Sequence, residues 1–303
     1  MEKFDIIIIG AGPGGLTAGI YAGRQGTKNL IIDKDLAGGL GREVPEMENY
    51  PGFETISGLE LIEKMKTQAI KNCQLNEMEE VQEILKTDDE YRFTVKTNKD
   101  TYQSKSIILA TGSSHRHLNA KGEEEFKGKG VSYCATCDGF FFAGRDIIMV
   151  GGGNSALQEA LYLKNLGANV SIVHRRDEFR AQKHLQNLIK EAGINTLLNA
   201  TVEEIKGEML VESVILKDTV TNELNEIQTN GVFISVGYIP HTELAEQLGI
   251  KLDETGHIIT DKNQKTNLDH VYAIGDVCVG LKQWVVACGE GAIAATSAFQ
   301  NLQ

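Results

Sequence analysis

The sequence predicts an α/β protein built around two similar strand–turn–helix–strand units, one at the start of the chain and one at its middle. In each unit an apolar run of strand length leads into a glycine-rich turn, which is followed by a helical segment and a second short strand. The units cover residues 4–33 and 146–173 and are the only internal similarity in the sequence. We therefore expect parallel sheets with right-handed crossovers.

Both units follow the same order. The first has a strand at residues 4–9, a turn at 10–15, a helix at 16–24 and a strand at 29–33. The second has a strand at residues 146–150, a turn at 151–153, a helix at 155–166 and a strand at 169–173.

Further strands are predicted at residues 91–97, 101–109 and 231–236, and the tail 271–299 returns to a strand, a Gly-Asp turn and an alanine-rich helix. This order indicates that the second unit is inserted into the first domain. The predicted crossings lie near residues 113–118 and 238–243, the discontinuous domain covers 1–114 and 241–303, and the inserted domain covers 115–240.

The composition is that of a globular protein and excludes several classes of partner. The chain has 303 residues, of which 41% are hydrophobic and 24% charged, so it can form a core without disulfides or metals. Its formal net charge of −12 would repel a nucleic-acid backbone or an anionic membrane. The sequence has no apolar run of the ~20 residues that a membrane span needs, and because residues 4–10 read as a strand we expect no cleavable leader. We expect a cytoplasmic protein without nucleic-acid or membrane partners.

The first glycine turn has the pattern of a dinucleotide-binding site. Gly10, Gly12 and Gly15 satisfy GxGxxG directly after a strand, where glycines allow the backbone to approach a pyrophosphate at a helix N-terminus. Asp33 lies 23 residues after Gly10, where a carboxylate accepts hydrogen bonds from ribose hydroxyls. An ordinary loop is the alternative.

The second glycine turn carries cations where the first carries an acid. Gly151, Gly153 and Ala156 form a GxGxxA variant, and the same 23-residue offset reaches the run His174, Arg175, Arg176, with Arg180 one turn later. Guanidinium groups bind a 2′-phosphate through charge-assisted hydrogen bonds, so this site should prefer NADP(H) to NAD(H). The alternative is a solvated basic helix start.

Cys134 and Cys137 form a CxxC, followed at once by Asp138. A zinc site would need a second ligand pair, which the sequence lacks, so no metal is expected. Two cysteines at this spacing favour thiol–disulfide exchange, with Asp138 as a proton donor or acceptor for the leaving thiolate. Asp138 could instead cap a helix over residues 139–142.

Three other residues have simpler expectations. Asp276, on the Gly-Asp turn, could bind a sugar hydroxyl or cap the alanine-rich helix. His115 and His117 lie at a predicted crossing, and we expect solvated loop residues there.

The motifs together resemble the low-molecular-weight thioredoxin reductases, which are FAD- and NAD(P)-dependent pyridine nucleotide-disulfide oxidoreductases. The resemblance covers nearly the whole chain and rests on GAGPGG (10–15), ENYPG (48–52), ATG (110–112), CATCDG (134–139), HRRDEFRA (174–181) and IGD (274–276). It implies two Rossmann-like dinucleotide-binding domains of three-layer ββα architecture, FAD in the first and NADPH in the inserted one. It also implies a homodimer, with thioredoxin or a similar small redoxin as the oxidant.

The resemblance implies the site residues position by position. The FAD pyrophosphate would lie on Gly10, Gly12, Pro13, Gly14 and Gly15, and the adenosine end on Asp33 and Lys34. The flavin portion would lie near Asn49 and Asp276, the isoalloxazine near Gln283 and Trp284, and further FAD contacts at Gly38, Gly39, Leu40, Ala110, Thr111, Gly112 and Gly275. NADPH would bind at Gly151, Gly153, Asn154, Ser155, His174, Arg175, Arg176 and Arg180. Cys137 would face the flavin and Cys134 would exchange with the protein substrate.

Three departures from the family pattern concern the cofactor sites. The family often has Gly-Gly-Gln-Leu where residues 38–41 read Gly-Gly-Leu-Gly, so one flavin-side amide is missing or supplied elsewhere. Asn154 stands where an acid is common, and Lys282-Gln283-Trp284 stands where Arg-Gln-Ala is common.

The expected reaction reduces thioredoxin with NADPH, through FAD and then the CxxC. Because the CxxC lies 14 residues before Gly151, it should travel with the nicotinamide domain, so we predict that residues 115–240 rotate to let each reach the flavin in turn. Three alternatives stay open: the same flavoprotein with another donor, such as a deazaflavin, or another redoxin; a flavin-dependent dithiol oxidase; and a dinucleotide-sensing protein with a structural CxxC.

Overall fold

The computed structural model describes residues 1–44 and 47–302. Gln303, the last residue of the predicted first domain, and Pro45 and Glu46 within it lie outside the described residues. The chain divides into two compact units: Met1–Ser114 together with Ile239–Gln303, and His115–Tyr238.

The elements of the first unit before the chain leaves it are β1 (Glu2–Ile9), α1 (Pro13–Arg24), β2 (Asn29–Ile32), α2 (Gly58–Ala69), β3 (Gln74–Asn76), β4 (Val81–Lys86), β5 (Phe93–Thr97), β6 (Thr101–Leu109) and β7 (Ser113–His115). The second unit contains β8 (Val131–Ser132), α3 (Ala135–Asp138), β9 (Asp146–Val150), α4 (Asn154–Asn165), β10 (Asn169–Val173), α5 (Lys183–Glu191), β11 (Asn195–Leu197), β12 (Ala200–Gly207), β13 (Val211–Asp218), β14 (Leu224–Gln228) and β15 (Gly231–Ile234), and β16 (Tyr238–Pro240) leads from it back into the first unit. The return to the first unit adds α6 (Glu243–Gln247), β17 (Val271–Ala273) and α7 (Trp284–Gln300). Short 3₁₀ turns cover Gly39–Glu43, Gly139–Phe142 and Gly275–Val277.

The first unit is organised around β1, whose side chains are buried on both faces. The parallel strands run in the order β3-β2-β1-β6, and the second half of β6 also pairs in parallel with β17. The first half of β6 pairs antiparallel with β5, which continues to β4. Ile6 and Ile8 pack with α1, α2 and α7, whereas Ile7 and Ile9 pack on the opposite face with β5 and α6. Three layers result, because successive strand residues point to opposite faces.

The second unit repeats this arrangement. Its parallel sheet has the order β11-β10-β9-β15-β8, and β12-β13-β14 form a separate antiparallel sheet. Ile147 and Met149 of β9 pack with α4 and α5, and Ile148 and Val150 pack with the antiparallel sheet. The predicted fold class, with two Rossmann-like units of three-layer ββα architecture, is therefore confirmed.

Two strands, β1 and β9, lead into the glycine turns, and each runs parallel to its neighbours, so their carboxyl ends lie at one edge of the sheet. The carboxyl ends of β1 and β9 thus carry the two turns, which is the edge where open α/β sheets bind their ligands. Within the described part of the chain, no helix has the length and apolar character to cross a membrane.

Candidate redox and nucleotide sites

The CxxC forms a disulfide at the start of a short helix. Cys134 and Cys137 are bonded with their Cα atoms 5.3 Å apart, and α3 begins at the residue after Cys134. Ser132 lies just before them, and its Oγ accepts a hydrogen bond from the Cys134 amide at 3.1 Å. The pair is therefore held by a local turn and can open and close without rearranging a long element.

The Asp138 carboxyl is half-buried, accepts a hydrogen bond from Ser132 and does not cap the following turn. Burial raises the pKa of its carboxyl above the ordinary value, although the Ser132 hydroxyl, which donates to Oδ2 at 2.5 Å, opposes that shift. Its side chain makes no capping bond to residues 139–142 in the described chain, so the helix-cap alternative is wrong. A carboxyl with a raised pKa beside a disulfide suits the donation of a proton to a leaving thiolate.

The expectation for His115 and His117 is wrong in part. His115 is half-buried, and its ring stacks on Tyr133 with centroids 4.5 Å apart. His117 stays exposed, but its Nδ1 lies 3.1 Å from the Tyr133 hydroxyl and 3.1 Å from Glu124 Oε1. Tyr133, the residue before Cys134, also donates from its hydroxyl to buried Glu123 at 2.6 Å. Sequence position alone could not show these partners, because packing on Tyr133 sets them.

The first glycine turn combines tight packing with open space. A Cβ on Gly10 would lie 2.2 Å from the Ala110 carbonyl oxygen, and one on Gly15 would lie 1.9 Å from the Gly10 carbonyl oxygen. A Cβ on Gly12, by contrast, would meet no described atom within 4 Å. Gly12 is the N-cap of α1 and has no side chain with which to cap it, and Pro13 is the first helical residue. The N-terminal amides of α1 thus face open space that an anionic group can fill.

Asp33 ties the end of β2 to this turn. One carboxylate oxygen accepts from the Ala11 amide at 2.6 Å and the other from the Asp35 amide at 2.9 Å. Burial raises the pKa of Asp33, and these two bonds oppose the rise. Lys34 follows on the surface. The acid therefore shapes the turn as well as offering its remaining lone pairs to a ligand.

Several other predicted FAD residues of this unit contact the glycine turn or one another. The Gly38 amide donates to the Ala11 carbonyl at 2.9 Å, and a Cβ on Gly39 would lie 4.0 Å from the Gly12 Cα. The side chain of Asn49 donates to that of Gln283 at 3.2 Å. Leu40 is half-buried in the 3₁₀ turn Gly39–Glu43, and the Ala110 amide donates to the Ile9 carbonyl of β1 at 2.8 Å. The Thr111 hydroxyl donates to the His241 carbonyl at 2.7 Å, and the His241 amide donates to the Gly112 carbonyl at 3.0 Å.

Asp276 lies in a partly buried charged cluster and does not cap the last helix. The N-cap of α7 is Gln283, seven residues later, so the helix-cap alternative is wrong. Burial raises the pKa of Asp276, and the opposite charge of Lys282 opposes the rise. The Lys282 ammonium donates to the Asp276 carbonyl at 2.9 Å and to the Cys278 carbonyl, and the Gly275 amide donates to Glu290 at 2.6 Å. The cluster fixes the turn that presents Asp276.

The second glycine turn is built like the first. A Cβ on Gly151 would lie 2.4 Å from the Ser235 carbonyl oxygen, and one on Gly153, the N-cap of α4, would meet no described atom within 4 Å. Asn154 begins α4, and its side chain accepts from the Gln182 amide at 2.8 Å. Ser155 is exposed beside it.

The basic run divides into one buried residue and three exposed ones. His174 is 7% exposed, its ring lies against Gly152, and burial lowers its pKa, which favours the neutral form of a ring that packs under the turn. Arg175, Arg176 and Arg180 are exposed, and none forms an ion pair within residues 1–44 and 47–302. The three guanidinium groups are therefore available to an anionic ligand, whereas His174 supports them.

Two features were missed by the sequence reasoning. Glu159 of α4 hydrogen-bonds to Ser235, and burial raises its pKa to about 7. Phe140 and Phe141, directly after the CxxC, are 64% and 45% exposed and meet edge to face with ring centroids 6.3 Å apart. The run of three phenylalanines at 140–142, directly after the CxxC, was a signal for the second feature, because three adjacent large apolar side chains can form an interaction surface.

The residues present fit two dinucleotides. Each glycine turn places a free helix N-terminus at the carboxyl edge of a parallel sheet and leaves room at the glycine that precedes the helix. No cluster of three or more potential metal ligands occurs among the described residues.

A family model, related sequences and a solved structure all place this chain in the same family. The family model described as pyridine nucleotide-disulphide oxidoreductase matches residues 4–291. A thioredoxin reductase from Listeria innocua is 43% identical over 97% of this chain and 92% of its own, and one from Bacillus subtilis is 41% identical over 97% and 93%. The crystal structure of thioredoxin reductase from Streptococcus pyogenes superposes with a TM-score of 0.91 at 39% identity and covers 99% of this chain and 98% of its own. The chain therefore belongs to the pyridine nucleotide-disulphide oxidoreductases and, within them, to the thioredoxin reductases.

Proposed function

We propose that the protein uses NADPH and FAD to reduce the disulfide of thioredoxin or a similar small redoxin through Cys134 and Cys137. The observation that carries the proposal is the disulfide-bonded CxxC in the same unit as a glycine turn flanked by three exposed guanidinium groups. When bound, FAD supplies a two-electron exchange with a pyridine nucleotide and with a disulfide that no side chain supplies.

In the first unit, the chain binds and orients the flavin nucleotide. The N-terminal amides of α1 would hold the pyrophosphate, because Gly12 leaves them accessible. Asp33 would accept from the ribose, and Lys34 lies at the same end. The rest of the nucleotide would be surrounded by the other predicted residues of this unit: Gly38, Gly39, Leu40, Asn49, Ala110, Thr111, Gly112, Gly275, Asp276, Gln283 and Trp284.

In the second unit, the chain selects the phosphorylated nucleotide. Gly151, Gly153 and the first residues of α4 would hold the pyrophosphate, and the guanidinium groups of Arg175, Arg176 and Arg180 would bind the 2′-phosphate. His174 keeps the turn in place by filling the space beside Gly152.

The exchange with the protein substrate uses the reduced pair. The Cys134 thiolate attacks one sulfur of the substrate disulfide, which forms a mixed disulfide and releases one substrate thiolate. Cys137 then attacks the Cys134 sulfur, which restores the Cys134–Cys137 bond and releases the second thiolate. Asp138 supplies a proton to a leaving thiolate, because burial keeps its carboxyl protonated to a higher pH than usual.

The exposed aromatic pair supports a protein as the oxidant. Phe140 and Phe141 follow the redox helix α3 and present apolar rings to solvent. A small disulfide would gain little from such a surface, whereas a redoxin can bury it.

The division of labour between the units stays a prediction. We propose that residues 1–114 and 241–303 bind FAD, that residues 115–240 bind NADPH, and that the second unit turns at its two crossings so that the CxxC and the nicotinamide reach the flavin alternately. A homodimer and a cytoplasmic location also stay predictions.

A coupled reduction assay tests the proposal. Purified protein should be yellow and should oxidise NADPH in the presence of oxidised thioredoxin, while the Cys134→Ser/Cys137→Ser variant should keep its flavin and lose this turnover. Reduction of the flavin by a deazaflavin or NADH, but not by NADPH, would favour another donor. Peroxide formed in proportion to added dithiol would favour an oxidase, and a colourless protein would contradict the proposal.

A further inference from the structure

The indole of Trp284 carries a buried donor that lacks an acceptor. Trp284 is the one tryptophan of the chain and the first residue of α7. Its Nε1 is buried and has no hydrogen-bond partner among the residues that the structure describes. A buried N–H is rarely left unpaired in a native protein, so an acceptor from outside the chain is the simplest partner.

The ring is held in place from two sides. It lies directly over Gly41, where a Cβ would come within 2.8 Å of Cζ3 and 2.9 Å of Cη2. Tyr50 meets it edge to face, with ring centroids 6.2 Å apart. The indole is therefore a fixed wall, and glycine at position 41 is what makes room for it.

This wall belongs to the dinucleotide site of the first unit. The loop that carries Gly41 is joined to the first glycine turn by the hydrogen bond from the Gly38 amide to the Ala11 carbonyl. The start of α7 reaches the same turn, since a Cβ on Gly14 would lie 3.1 Å from the carbonyl oxygen of Ala287. The loop and the helix that form the wall are thus both in contact with the glycine turn.

We propose that the Trp284 N–H donates a hydrogen bond to a carbonyl oxygen or ring nitrogen of the isoalloxazine, and so favours a flavin dinucleotide over other adenine nucleotides at this site. Two of the three departures from the family pattern, at residues 38–41 and 282–284, meet at this contact. Leu40 cannot donate, and Trp284, seated on Gly41, supplies the donor instead. The inference rests on the proposed binding of FAD.

The single tryptophan makes the test direct, because the ¹⁵N-labelled protein gives one indole N–H resonance that needs no assignment. FAD added to the full-length protein freed of flavin should move the indole proton downfield and slow its exchange with solvent. ADP is the matched probe, since it has the phosphates and adenosine but no isoalloxazine, and it should leave the resonance in place.

Two variants separate the donor from the ring. Trp284→Phe keeps an aromatic ring on Gly41 and removes the N–H, so the Kd for FAD should rise roughly 10-fold, equivalent to about 1.4 kcal/mol, while the Kd for ADP stays unchanged. Tyr50→Phe is the control, because it keeps the ring that meets the indole and removes only a hydroxyl that lies 4.0 Å from Cys288 Sγ, so the Kd for FAD should change by less than about 2-fold.

The outcomes distinguish this inference from the function on which it rests. An indole resonance that FAD moves no more than ADP does, or a Trp284→Phe variant with unchanged FAD affinity, overturns the inference and leaves the proposed flavoprotein intact. A protein that binds ADP but not FAD overturns both.

Discussion

Removing two guanidinium groups from the second unit should abolish the preference for NADPH over NADH. Arg175 and Arg176 directly follow the buried His174, are exposed, and have no ion-pair partner in the described chain that would compensate their loss. The double substitution Arg175→Ala/Arg176→Ala removes both guanidinium groups.

The magnitude follows from the number of bonds lost. A hydrogen bond to a charged group contributes about 1.5–3 kcal/mol, and exposure to solvent favours the lower end. Two such bonds amount to about 3 kcal/mol, so kcat/KM for NADPH should fall roughly 100-fold. NADH has no 2′-phosphate, so its kcat/KM should change by less than about 2-fold.

The assay is steady-state thioredoxin reduction with each nucleotide at one fixed ionic strength. Arg145→Ala is the matched control, because Arg145 is also exposed but precedes β9, at the end of the strand opposite the glycine turn. An equal fall with NADPH and NADH would show that the two arginines maintain the fold instead, and an unchanged preference for NADPH would refute the assignment of the 2′-phosphate site.

Three further predictions concern single features. Burial raises the pKa of Glu159 to about 7, so the folded state holds its proton more tightly and the free energy of unfolding should fall as pH rises from about 4.5 to 7. In urea unfolding, Glu159→Gln should therefore stabilise the protein by at most about 3 kcal/mol at pH 8 and by little at pH 4.5. A loss of stability at pH 8 would contradict this. Phe140→Ala/Phe141→Ala should raise the KM for thioredoxin about 10-fold without slowing reduction of a small aromatic disulfide, and an equal effect on both substrates would remove the docking role. Gly12→Val should fold normally, because its Cβ meets no described atom within 4 Å, yet lower FAD affinity at least ~10-fold in a fluorescence titration; unchanged affinity would mean that the pyrophosphate lies elsewhere.

The parallel strands were predictable because burial on both faces leaves a strong apolar signal. The predicted bounds of β6, β9 and β10 match the structure, and α1 begins only three residues earlier than predicted, since Pro13 suits a first helical position. The antiparallel sheet β12–β14 was not predicted. Its strands alternate buried and exposed residues, and β14 is mostly exposed, so the apolar signal is weak.

The residues of the candidate site that belong to sequence motifs were predictable, whereas those that only packing brings together were not. The glycine turns and the CxxC are local patterns, and the resemblance rests on them. The pairing of Gly41 with Trp284 joins residues 243 positions apart, and only the fold brings them together. His174 shows that a motif can also mislead. Its spacing of 23 residues from Gly151 predicted a nucleotide contact, whereas its burial and lowered pKa favour a neutral packing residue.

Anaerobic titration with NADPH shows whether electrons pass from the flavin to the disulfide, because it counts the electrons that the protein accepts. Wild-type protein should consume NADPH for the flavin and again for the Cys134–Cys137 disulfide, with new thiols appearing as the flavin is reoxidised. The Cys134→Ser/Cys137→Ser variant should consume half as much NADPH per flavin. Equal consumption by the two proteins, with no thiols formed in the wild type, would show that the disulfide does not receive electrons from the flavin and would contradict the account.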